Sequence, residues 1–161
     1  MSFFVSRLIL IGVITSLVAC ASFKSYEEKV VQLPYHHSSF DFDVAWNSSQ
    51  AGNDTVIDGL IKNVRSVQVR DIILRIQVLG PDETFLSDGE VFLENVNLTM
   101  NDSRKFSVRV KDATISKGNV LEFKIDYRIN NGSWYGRAGQ SSFNVDETTG
   151  VAIEEQTEKK K

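Results

Sequence analysis

The chain has 161 residues, with 18 Lys and Arg against 21 Asp and Glu, a formal charge of −3, two histidines and one cysteine. That length suits one domain with a modest core. The mild acidity argues against nucleic acid or an anionic surface as the main partner, since both favour a basic face, and a lone cysteine rules out an internal disulfide.

Residues 1 to 19 have the three-part layout of an export signal: Arg7 is the positive charge, Leu8 to Val18 is mostly apolar, and the small Ala19 precedes the break. The apolar run falls short of the roughly 20 residues that span a bilayer. Leu17-Val18-Ala19-Cys20 resembles the lipobox of bacterial lipoproteins. The resemblance implies cleavage before Cys20, a diacylglycerol on its thiol and a fatty acyl chain such as palmitate on the new N-terminus. Each buried methylene contributes about 0.8 kcal/mol, so two or three chains anchor a protein durably. By the sorting rule of Gram-negative lipoproteins, Ala21 in place of an aspartate implies the outer membrane, facing the periplasm. Without the signal, 17 basic and 21 acidic side chains remain, a charge of −4.

Residues 20 to 38 read as the lipidated cysteine and a polar spacer, with Val30, Val31 and Leu33 as an alternative edge segment packed on the domain. From Ser39 the apolar residues recur at every second position, the mark of strands with one buried face. Phe40, Phe42, Val44 and Trp46 are expected to face inward, Asp41, Asp43 and Ala45 outward, and Asn47 to Asp54 to form a loop. A strand follows at Thr55 to Asn63, then one in which Ile72, Leu74, Ile76 and Val78 point inward. Gly80-Pro81-Asp82-Glu83 is a turn, because proline presets φ at its second position. Short strands at Thr84 to Leu86 and Glu90 to Leu93 are expected to flank a turn at Ser87-Asp88-Gly89. Phe106, Val108 and Val110 mark a further strand, a polar loop carries Ser116 to Asn119, and Leu121 to Ile129 alternates again. Asn131-Gly132 predicts a two-residue hairpin turn, which sets Ile129 opposite Trp134, Arg128 opposite Tyr135 and Asp126 opposite Arg137. Ser141 to Val145 is the last strand, the domain spans 39 to 146, and the charged residues 147 to 161 read as a disordered tail.

Short strands punctuated by turns indicate an all-β sandwich of about seven antiparallel strands. The segment Ile57-Asp58-Gly59-Leu60-Ile61-Lys62-Asn63, the apolar strand Asp71 to Leu79 and the Gly-Pro-Asp-Glu turn are similar to the FxLYD-type domains of bacterial exported proteins. The likeness covers roughly residues 54 to 111; the namesake aromatic-Leu-Tyr-Asp stretch is replaced by Ile76-Gln77-Val78-Leu79. It implies an immunoglobulin-like sandwich serving as a non-catalytic module.

Candidate sites are few. His36-His37 is the sole imidazole source, and neighbours on an extended segment point apart, which suits neither a metal site nor a Ser-His-Asp nucleophile. Asp41 and Asp43, about 7 Å apart on one strand face, match the spacing of paired carboxylates in inverting glycosidases, but a convex, solvated face cannot raise a pKa. Asp82, Glu83 and Asp88 are explained by turn chemistry instead of calcium binding. Tyr135 beside Arg128 is the possible ligand contact. The expectation is a lipid-anchored envelope protein, not an enzyme and without cofactor or metal. Its partners would be the membrane, through Cys20, and another envelope protein, with binding of an envelope glycan or small ligand as the alternative.

Overall fold

The computed structural model describes residues 30–130, 136–146 and 149–153, with backbone alone at positions 95 and 96. Among them are eight strands: β1 Tyr35–Ser38, β2 Phe42–Ala51, β3 Asp54–Asn63, β4 Val69–Leu79, β5 Phe85–Leu98, β6 Ser103–Val110, β7 Val120–Ile129 and β8 Arg137–Asp146. One sheet has the order β1-β2-β3-β6 and the other β5-β4-β7-β8, with antiparallel pairing throughout. The chain changes sheet after β3, β5 and β6. That exchange pairs β3 with β6 and β4 with β7, the interlocked pattern of an immunoglobulin-like β-sandwich.

The period-two apolar pattern explains the two layers directly. Val44 and Trp46 of β2, Ile57 and Ile61 of β3, Leu74 and Ile76 of β4, and Phe123 and Ile125 of β7 are all buried between the sheets. Each such side chain contributes about 1.5–3 kcal/mol by leaving water. The β2, β7 and β8 half is aromatic. Trp46 lies 4.8 Å from Phe123 between ring centroids, Phe123 stacks on Phe143 at 4.8 Å, and Phe42 meets Tyr127 edge-on at 5.0 Å.

Several local expectations are corrected. Asn47 to Asp54 is no open loop, because β2 and β3 stay paired as far as Ala51 and Asp54. Gly52, with φ of 69°, supplies the left-handed position of the two-residue turn between them. The expected hairpin at Ser87-Asp88-Gly89 does not form either, since β5 runs unbroken and pairs Gly89 with Ile76 of β4. Phe40 precedes β2 and is 83% exposed, whereas Asp41 beside it is buried.

The β7–β8 pair is shifted from the two-residue hairpin by three residues. Ile129 faces Arg137, Arg128 faces Ala138 and Asp126 faces Gln140. Burial decides the register: an odd shift exchanges the faces of a strand, and the expected register would set Ser142 opposite Leu121 on the inner face. The observed one puts Phe143 against Phe123 and Val145 against Leu121. At the two ends, β1 begins inside the stretch read as spacer. Within the stretch read as tail, Ala152 bridges to Val145 and the Ile153 N–H donates to the Asn144 carbonyl at 2.8 Å.

Candidate interaction site

A strand at the edge of a sheet presents unpaired N–H and C=O groups that another chain can use. The four edges here are β1, β8, β5 and β6. β1 is four residues long, and residues 151–153 fold back on the end of β8. β5 and β6 share the opposite flank of the sandwich, where they touch at one end. A Cβ on Gly89 would lie 2.4 Å from the Arg109 carbonyl oxygen. The Ser87 hydroxyl donates to the Lys111 carbonyl at 2.7 Å.

Those contacts fix the direction of the β6 backbone. The carbonyls of Arg109 and Lys111 turn away from β3, toward the flank, and backbone groups two residues apart point the same way. The N–H and C=O of Lys105 and Ser107 therefore face the flank as well. Beside them lies a groove of about 880 Å³. Its apolar lining is Phe106 of β6, Val91 and Leu93 of β5, and Leu60 and Leu33, while Lys105, Ser107 and Asp58 supply polar groups. Phe106 sits deep because its ring occupies the space above Gly59, where a Cβ would come within 2.5 Å of it.

Charge on β6 is one-sided. Its residues Ser103–Val110 include Arg104, Lys105 and Arg109 and no acid. Arg109 is paired with Asp54 at 3.1 Å. The Asp54 carboxyl is held below the usual range first by the Asp112 backbone N–H and then by the Arg109 guanidinium. No ion pair to Arg104 or Lys105 occurs among the described residues.

The residues singled out from the sequence are scattered. Cys20, Trp134 and Tyr135 lie outside the described residues. Arg128 stands opposite Ala138 instead of Tyr135, and its Nε is 3.9 Å from Asp71, whose φ of 51° marks the irregularity in β4. His37 turns inward and stacks on Phe143 at 4.0 Å, while the adjacent His36 is exposed. Asp41 and Asp43 do not share an outward face. Asp43 pairs in register with Lys62 on β3, whereas Asp41 is buried, with Arg65 at 3.2 Å. Asp82 and Glu83 are exposed at their turn, and Asp88 is 4.0 Å from Arg75.

Two features escaped the sequence reading. Asp41 and Arg65 close one end of the sandwich over Tyr127, and the Arg65 guanidinium lies 5.2 Å from the centroid of the Phe40 ring. Burial, followed by a hydrogen bond with Asp41, pushes the Tyr127 phenol up. The groove beside β6 is the other. Its one sequence signal is the acid-free run from Ser103 to Lys111, with four cations in nine residues.

No family model matches the chain, and no curated protein matches it. Among solved structures it is similar to the GAE domain of yeast GGA1, at 10% identity and a TM-score of 0.44, over 75% of this chain and 99% of that one. The GAE domain of GGA2p from Saccharomyces cerevisiae gives 10% identity and a TM-score of 0.41, over 73% and 94%. Bacteroides uniformis beta-glucuronidase 2 gives 15% and 0.37, over 64% of this chain and 13% of the enzyme. What they share with this chain is the two-layer β architecture alone.

Proposed function

We propose that the chain is a lipid-anchored, non-enzymatic interaction module of the bacterial cell envelope, held by Cys20 on the periplasmic face of the outer membrane. The observation that carries the module reading is the β6 edge, unpaired among the described residues, beside an apolar groove. An open edge is a liability in a protein that has no partner for it, and an apolar cleft with a few polar groups is the usual form of a binding site. The lipobox resemblance of Leu17 to Cys20 supports the anchor.

A photo-crosslinking residue at position 105, in the full chain in native membranes, tests the reading. The expected result is a discrete adduct with another protein, absent when the same residue replaces Ser142 on the outer face of the opposite sheet. An adduct with carbohydrate in place of protein, or no adduct at either position, overturns it.

A further inference from the structure

We infer that β6, between Ser103 and Ser107, accepts an extended segment of a partner protein as a fifth strand, and that this segment is acidic opposite Arg104 and Lys105 and apolar opposite Phe106. The inference rests on the interaction-module reading and adds the place and chemistry of the contact.

Strand addition needs a free ladder and room beside it. The ladder is the flank-facing N–H and C=O of Lys105 and Ser107, a direction fixed by the carbonyls of Arg109 and Lys111. The room is the groove. Nearer the other end, Gly89 and Ser87 of β5 close the flank, so the free stretch is the five residues from Ser103, about 17 Å of strand.

Side chains of an added strand alternate between the two faces of the sheet. Those facing inward meet Phe106, Val91 and Leu93, which calls for an apolar group, with Arg104 next along the same face, which calls for an acidic one. Those facing outward lie along the row that holds Lys105, which stands opposite Leu60 on the outer side of β3. Opposite charges on paired strands stabilise and like charges destabilise, so the outward position opposite Lys105 calls for Asp or Glu, while the one opposite Ser107, beyond which Asp58 lies, does not. The same charge argument disfavours a second copy of this chain, because antiparallel pairing of two free stretches would set Lys105 directly opposite the Lys105 of the other copy.

The test uses the full chain in mild detergent and a phage-displayed random decapeptide library. Selected peptides are expected to carry adjacent acidic residues next to an apolar one, and to slow hydrogen exchange at the Lys105 and Ser107 amides. Ser107→Pro removes an N–H that makes no bond to β3, and proline is tolerated on an edge strand; it is expected to weaken binding at least tenfold. Lys105→Glu, at an exposed position, is expected to weaken the acidic peptides by a similar factor with the fold intact. If Ser107→Pro does not fold, the exchange pattern and Lys105→Glu decide.

No enrichment, peptides lacking that acidic and apolar pattern, protection elsewhere, or full affinity in the charge-reversed variant overturns the inference. So does a dimer in sedimentation that Lys105→Glu dissolves, which would make the occupant a second copy. A protein adduct at position 105 in membranes, together with any of those failures, would sink strand addition and leave the module reading standing.

Discussion

Asp41, Arg65 and Tyr127 form a polar group at one end of the sandwich, and its energetics turn on how dry it is. The Asp41 side chain is 12% exposed and that of Arg65 28%. The pair thus lies between exposed ion pairs, worth about 0–1 kcal/mol, and buried ones, whose loss of one partner costs about 3–5 kcal/mol. Arg65→Ala should lower stability by about 2 kcal/mol in urea unfolding, because it leaves the carboxylate beside Tyr127 without its cation. Gly89→Ala should cost about 1–3 kcal/mol, since the clash is with a backbone carbonyl that cannot rotate away. Wild-type stability in either variant would contradict the packing described. Ser-Asp-Gly is good turn chemistry, so Gly89 reads as a turn residue from its neighbours. Its actual role, to let Arg109 approach, belongs to a residue distant in sequence. Phe40 fails for a related reason: it continues the alternation by type, but Asp41 is drawn inward by Arg65.

At the scale of elements, alternation located most of the strands, because each buries one face of a sheet. Register was less legible. Asn131-Gly132 is a strong local signal for a short turn, yet the pairing of β7 with β8 follows Phe143 and Val145. β1 was hidden because it is short and polar. It is held by β2 and by His37 on Phe143, which makes its docking sensitive to protons. His37 is held below its ordinary pKa, first by burial and then by the charge of His36, with Asp43 opposing. The unfolded chain then binds the proton more readily than the folded one, so stability rises with pH in this window. The contribution is complete above about pH 6.5 and is lost as pH falls through that value toward the lower folded pKa. The unfolding free energy from urea titrations should decline between about pH 7.5 and 5.5, with a slope of at most about 1.4 kcal/mol per pH unit for a single proton. His37→Phe keeps the ring stack and should flatten that slope; an unchanged slope would assign the dependence to another group.

For the whole molecule, composition and alternation were enough to indicate two packed layers, but which flank stays open depends on pairings that close only in three dimensions. Residues 151–153 close only the end of β8 and Gly89 meets Arg109 at one end of the other flank, which leaves the β6 groove open beside Lys105 and Ser107. Among the described residues, the buried apolar core runs from Phe42 to Val145. An anchor at Cys20 is therefore separable from the fold, and Cys20→Ser should leave the melting midpoint unchanged. The same substitution should move the protein from the membrane pellet to the soluble fraction. Acyl chains hold by about 0.8 kcal/mol per methylene, whereas a chain of mildly negative charge gains little from an anionic bilayer. A high-salt wash strips what surface charge retains and leaves what hydrocarbon retains. Cys20→Ser protein that stayed in the washed pellet would locate the hold in Leu8 to Val18, as an uncleaved apolar anchor, and would remove the lipid from the account.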